Sequence, residues 1–157
     1  MSQKSEGVGG DDAQSGADEL AAVDAAFERN DPEVGTAVVR LVLNCDAFDA
    51  VAARVERALR TEQLEVRRLG HVAAGDLARL SRRLTPAIYQ LLRREGLGGI
   101  ADTAIKDVLT FVPFRGLPPW FKRQFAVLSV RNFVEGRWLS LVDSLETLRD
   151  HLTRARR

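Results

Sequence analysis

The side chains that could catalyse a reaction or hold a metal ion are few and scattered in this chain of 157 residues. The two histidines, His71 and His151, stand far apart, and neither has a further ligand at the spacing of a metal site. The single cysteine, Cys45, has no histidine near it in sequence, which favours a small core residue over a nucleophile. No phosphate-binding, nucleotide-binding or serine-hydrolase motif occurs. The sequence therefore predicts a non-enzymatic protein with no metal and no cofactor.

Charged residues are distributed unevenly along the chain. Residues 1–50 carry three basic and eleven acidic side chains, whereas residues 51–157 carry twenty basic and eleven acidic ones. Most of the basic residues are arginines, which bind carboxylates and phosphates in a bidentate manner. The carboxylates Glu62, Glu65 and Asp107 fall where a solvated helix face is expected. We therefore predict no acid–base role for them.

The spacing of apolar residues predicts an all-α protein, a compact bundle of seven to eight helices around a hydrophobic central helical hairpin. The hairpin spans residues 111–142 and holds both tryptophans, Trp120 and Trp138. Residues 1–16 have almost nothing to bury, so we predict a disordered acidic tail there and a single helical domain over residues 17–157.

Capping residues and prolines mark the predicted helix boundaries. The first helix begins near Asp18 and ends at Asn30 and Asp31. Thr85-Pro86 has the composition of a helix start. Residues 67–75 show no regular pattern, and we expect an irregular segment there before helical spacing resumes.

One functional hypothesis is DNA binding, because residues 76–97 resemble the two-helix unit of helix-turn-helix regulators. Two short helices meet at Leu84-Thr85-Pro86, with arginines on both sides. In such regulators the second helix enters the major groove, and arginines contact bases and phosphates. The glycine-containing turn typical of the motif is absent. The candidate nucleic-acid-binding residues are Arg82, Arg83, Thr85, Tyr89, Arg93 and Arg94.

A second resemblance is to the apoptosis regulators of the B-cell lymphoma-2 family, whose divergent viral members lose motifs while keeping the fold. Residues 55–60 (VERALR) are similar to the family's third homology segment. Residues 85–96 look like the helix that leads to its first segment. Residues 135–143 resemble its second segment, in which a Gly-x-Trp, here Gly136 to Trp138, begins a short helix.

This resemblance implies a pro-survival regulator that sequesters pro-death partners by binding their amphipathic helix in an apolar surface groove. Arginines at the rim would meet the acidic side of the partner helix. A viral member would act on proteins of its host. The predicted groove residues are Phe48, Val51, Val55, Leu59, Leu80, Arg83, Leu84 and Ile88.

The expected location is cytoplasmic, because no run of eighteen apolar residues could span a membrane. An anchor beyond Arg157 would instead place the full-length protein at an intracellular membrane surface. An unassigned helical adaptor is the third hypothesis that the sequence leaves open.

Overall fold

The structure, a computed structural model, describes residues 9–129, and these residues form helices joined by short connections, without a strand among them. The predicted all-α class is confirmed. The α-helices with defined ends are α1 (Gly9–Glu28), α2 (Val34–Asn44), α3 (Phe48–Arg60), α4 (Leu64–Ser81), α5 (Pro86–Glu95) and α6 (Asp102–Phe111). A 3-10 turn follows at Phe114–Gly116, and residues 119–129 are again helical.

The chain divides into two compact units, Met1–Leu117 and Pro118–Arg157. The sequence had predicted one domain over residues 17–157. In the second unit, the rings of Trp120 and Phe121 make an edge-to-face contact with centroids 4.8 Å apart. The second arm of the predicted hairpin, which contains Trp138, lies outside the described residues. As predicted, no described helix is both long enough and apolar enough to cross a membrane.

Helix α1 begins earlier than the sequence predicts and ends where it predicts. Its first residue is Gly9, so the second half of the predicted tail is helical, and residues 1–8 lie outside the described range. At the other end Asn30 adopts a left-handed conformation with φ of 52°. The Asp31 backbone N–H then donates to the Ala26 carbonyl at 3.0 Å, and the Asn30 N–H donates to the Phe27 carbonyl at 3.1 Å. These two bonds form a Schellman motif, in which asparagine tolerates the left-handed position.

Helix α4 corrects the prediction of an irregular segment at residues 67–75. It runs without a break from Leu64 to Ser81. Glycines cost about 1 kcal/mol each in a helix relative to alanine, so Gly70 and Gly75 weakened the helical pattern in the sequence. Both glycines are buried, together with three small or apolar residues on the same helix, Val66, Ala73 and Ala74.

The glycines allow three helices to approach α4 closely. A Cβ atom added to Gly70 would lie 3.1 Å from the backbone carbonyl carbon of Ala58 in α3. A Cβ atom on Gly35 of α2 would lie 3.2 Å from the Cα of Val66 in α4. A Cβ atom on Gly75 would lie 3.5 Å from the Cα of Ala104 in α6. Helix α4 is therefore the element against which α2, α3 and α6 pack most extensively.

Ion pairs link acidic side chains of α1 to arginines of α3. Asp24 accepts hydrogen bonds from two nitrogens of the Arg54 guanidinium, and Glu28 accepts one from Arg57 at 2.8 Å. These contacts pair acidic side chains from the first fifty residues with arginines from the more basic remainder of the chain.

We expect Gly70→Ala to lower the free energy of unfolding by about 1–3 kcal/mol, because the methyl group would press on the α3 backbone. Gly16→Ala is the matched control, since its Cβ would meet only the Cys45 Sγ at an ordinary 3.5 Å. The control gains helix propensity without a clash, so it should raise stability by about 0.5–1 kcal/mol. Denaturant unfolding measures both. Equal stability of the two variants would contradict the close crossing.

Candidate functional site

A cleft of about 590 Å³ opens between α4 and the start of α6. Residues of α4, from Glu65 to Asp76, form one wall. Residues 99–107, which cover the end of the α5–α6 connection and the first turns of α6, form the other. We call this feature the α4–α6 cleft. Its volume lies within the range of about 300–1,000 Å³ that ligand sites occupy.

Apolar side chains of the α4–α6 cleft remain open to solvent. Val72 is 52% exposed although it lies in the middle of the helix on which the first unit packs. Leu69 and Ile100 are half-buried, and Ala104 is buried. A monomeric protein usually covers such surface or uses it to bind a partner.

Acidic side chains line the same cleft, and one of them is not paired. Glu65 accepts a hydrogen bond from Arg68 at 3.3 Å, and Asp76 accepts one from Arg79 at 2.7 Å. Asp107 forms no ion pair with any described residue. Among the carboxylates that line the cleft, the one without an ion-pair partner is therefore that of Asp107.

Asp107 differs from the solvated carboxylate that the sequence predicts. Its Oδ2 lies 2.6 Å from the position that a Cβ atom on Gly75 would take, so the carboxylate rests against the α4 backbone. Burial raises the pKa of Asp107, the negative charge of Asp76 raises it further, and Arg79 opposes this shift. A carboxyl group with a raised pKa in a cleft is typical of functional sites.

His71 lies on the inner wall of the cleft and is only 2% exposed. Neither ring nitrogen has a hydrogen-bond partner. Burial lowers the pKa of His71; the Glu95 carboxylate raises it in part, and Arg67 lowers it further. The imidazole is therefore neutral at physiological pH. Within the described part of the chain, no three His, Cys, Asp or Glu side chains are placed to hold a metal ion.

The predicted groove residues come together around α3, but they do not line an open groove. Arg83 covers the ring of Phe48, with its guanidinium carbon 4.1 Å from the ring centroid. Leu80 is 54% exposed on α4. The remaining five lie in the core with exposed fractions of 0–7%: Val51, Val55, Leu59, Leu84 and Ile88. Their apolar spacing reflects core packing between helices.

The predicted helix-turn-helix residues divide into buried or bonded side chains and exposed arginines. Thr85 caps α5 by accepting from the Ile88 N–H at 3.3 Å, and its hydroxyl donates to Glu56 at 2.6 Å. Tyr89 is 8% exposed. The arginines of this set are exposed: Arg82, Arg83, Arg93 and Arg94. The four arginines are thus open to solvent, whereas Thr85 is engaged in two hydrogen bonds and Tyr89 is buried.

The residues of the α4–α6 cleft were missed because the sequence pattern was interpreted as irregular there. Val72 and Asp76 fall within or beside residues 67–75, where no helix was expected. Asp107 was predicted to be solvated. A helix drawn through Gly70 and Gly75 would have placed Leu69, Val72 and Asp76 on one face, at intervals of three and four residues.

Comparisons with known proteins gave no match: no family model, no curated protein and no solved structure matches this chain. The geometry of the described residues therefore carries the functional proposal.

We expect the free energy of unfolding to fall as the pH drops below about 6.5, because unfolding exposes His71 to protons that the folded state excludes. Because the pKa of His71 is lowered in the folded state, the contribution of the neutral imidazole to the free energy of unfolding is complete above pH 6.5 and is lost progressively below it. The slope from one proton cannot exceed about 1.4 kcal/mol per pH unit. Urea unfolding of His71→Leu and the wild type between pH 7.5 and 5 tests this. His151 is common to both proteins, so identical pH profiles would contradict the burial of a neutral His71.

We expect Asp107→Asn to raise the midpoint of thermal unfolding at pH 7, because it removes a carboxylate whose charged form is disfavoured by burial and by Asp76. Since the pKa of Asp107 is raised, the destabilisation by its charged form is present at neutral pH. This destabilisation disappears below about pH 4, where the carboxyl group is protonated in the folded and the unfolded state. Asp49→Asn, at an exposed position in the first turn of α3, is the control and should not stabilise. Destabilisation by Asp107→Asn at pH 7 would contradict the assignment.

Proposed function

We propose that this chain is a protein-binding module that takes an amphipathic helix of a partner in the α4–α6 cleft. The observation that supports this most is the exposure of apolar surface on the central helix, with Val72 52% exposed between the half-buried Leu69 and Ile100. Apolar surface in a concave site, rimmed by charge, suits the helix-in-groove mode of recognition.

The dimensions of the cleft suit a short partner helix. The α4 wall runs from Glu65 to Asp76, which corresponds to about 16 Å and three helical turns. Three turns present apolar anchors at positions i, i+3, i+4 and i+7 to such a surface. The floor formed by Leu69, Val72 and Ile100 would receive these anchors.

The charges around the cleft favour a partner helix with a basic polar face. Of its charged lining residues, Glu65, Asp76 and Asp107 are acidic and Arg68 is basic. Arg68 is already paired with Glu65, and Asp76 with Arg79, which leaves the carboxylate of Asp107 as the unpaired charge of the lining. Complementary charge mainly increases the rate of encounter and the specificity of binding.

A pro-survival role that sequesters pro-death partners is a finer form of the same proposal, and it comes from the sequence resemblance alone. It calls for arginines at the rim and an acidic side on the partner helix. The α4–α6 cleft calls for the opposite charge on the partner. Peptides with acidic and with basic polar faces therefore separate the two forms. The expectation that the chain is not an enzyme, and the DNA-binding alternative, stay predictions.

We expect a three-turn amphipathic peptide with lysine and arginine on its polar face to bind with a Kd of tens of micromolar or tighter, about −6 kcal/mol or below. A peptide with the same apolar residues and glutamates on its polar face should bind at least about tenfold more weakly. Titration calorimetry of the full chain with both peptides measures the difference. No binding of either peptide would overturn the proposal.

Two lysine substitutions locate the binding surface. Val72→Lys places a like charge on the floor of the cleft and should reduce binding of the basic peptide at least about tenfold. Leu80→Lys is the matched control, because Leu80 is 54% exposed on the same helix but does not line the cleft. Equal losses in the two variants would place the peptide elsewhere. Peptide-sensitive self-association in sedimentation would identify a second copy of the chain as the occupant and contradict a heterologous partner.

A further inference from the structure

The acidic end of the α4–α6 cleft has the features of a site for a single organic cation. Asp107 of α6 and Asp76 of α4 both line the cleft, and the Oδ2 atom of Asp107 lies 2.6 Å from the position that a Cβ atom on Gly75 of α4 would take. Asp76 is already bonded to Arg79 at 2.7 Å, whereas Asp107 has no such partner among the described residues. One uncompensated carboxylate in a partly buried position calls for one positive charge.

His71 provides a second and independent indication that something binds there. His71 lines the same cleft and is 2% exposed, and neither nitrogen of its imidazole has a hydrogen-bond partner. Gly75, against which the Asp107 carboxylate rests, lies four residues further along α4 and therefore on the same face as His71. A buried polar group without a partner costs stability, and such groups are satisfied in most native structures. A ligand that brings a donor to this wall would supply a partner for the acceptor nitrogen of the neutral imidazole.

The polar groups around this end of the cleft favour an organic cation over a metal ion. No group of three metal-ligating side chains is assembled in the described residues. Carboxylates and an imidazole nitrogen are all hydrogen-bond acceptors, and a guanidinium or ammonium group consists of donors alone. A guanidinium also pairs with a carboxylate through two parallel hydrogen bonds.

We infer that Asp107, in the cleft that Asp76 and His71 also line, is the binding point for one guanidinium or primary ammonium group. In the helix-docking function proposed above, on which the identity of the carrier rests, this group is an arginine or lysine side chain of the partner helix. The apolar anchors then occupy the floor at Leu69 and Val72, and the cation occupies the acidic end. Free alkylguanidinium is the smallest ligand with the same chemistry.

The test titrates butylguanidinium and its neutral isostere butylurea into the full chain, with the NMR signals of the His71 imidazole as the reporter. We expect saturable shifts with the cation and none with the urea. Asp107→Asn should weaken binding of the cation by at least about threefold, the upper part of the range for a solvent-accessible charge pair. Asp49→Asn removes a carboxylate on another helix and should leave binding unchanged. Absence of saturable shifts, or equal binding to wild type and Asp107→Asn, would overturn the cation site.

A second experiment, with peptide variants, tests the cation site separately from the docking function. The basic peptide is compared with versions in which one arginine at a time is replaced by citrulline. We expect one replacement to weaken binding, and to have no further effect in Asp107→Asn, as in a double-mutant cycle. A peptide that is blocked by Val72→Lys but unaffected by citrulline or Asp107→Asn would overturn the cation site alone. Asp107-dependent binding of butylguanidinium without binding of any peptide would support the cation site and overturn the docking function.

Discussion

Helices α2, α3 and α6 pack closely against α4 at three glycines, and the rest of the first unit depends on this close packing. Gly35 of α2 and Gly70 and Gly75 of α4 leave no room for a Cβ atom at the ordinary distance without a shift of a neighbouring atom. At these crossings Gly70 and Gly75 of α4 meet α3 and α6, whereas Gly35 of α2 meets Leu69 and Val66 of α4. The side chain of Leu69 also packs against Gly35 and is half-buried, whereas Val72 is 52% exposed, so no described helix covers either side chain completely. A helix that is central to packing thus also forms a wall of the open cleft.

The groups around this cleft reduce stability and are therefore informative about function. The carboxyl group of Asp107 lies where burial and the negative charge of Asp76 disfavour its ionised form. The two ring nitrogens of His71 have no hydrogen-bond partners. An apolar core would avoid both costs. Local violations of this kind are concentrated at functional sites, where binding compensates for the loss. Since both groups lie in the cleft that exposes Val72, the proposed binding site would account for all three features.

The sequence predicted features set by local chemistry and missed those set by packing between distant segments. Asn30 and the Thr85-Pro86 pair are local signals, and both act in the structure as helix end and helix start. Gly70 and Gly75 lower helix propensity locally, but distant helices require them, so a single sequence could not reveal a continuous α4. The apolar face of α3 was predicted, whereas whether it was sealed or open depended on α5. Core burial of Val55 shows that helical spacing alone does not distinguish a groove from an interior.

Hydrogen–deuterium exchange of the full chain, with and without the basic amphipathic peptide, tests the central claim that the α4–α6 cleft is the recognition surface. We predict that bound peptide slows exchange at residues 65–76 and 99–107 and leaves α3 and α5 unchanged. Slower exchange around Phe48 and Leu80 instead, or no change at saturating peptide, would contradict it.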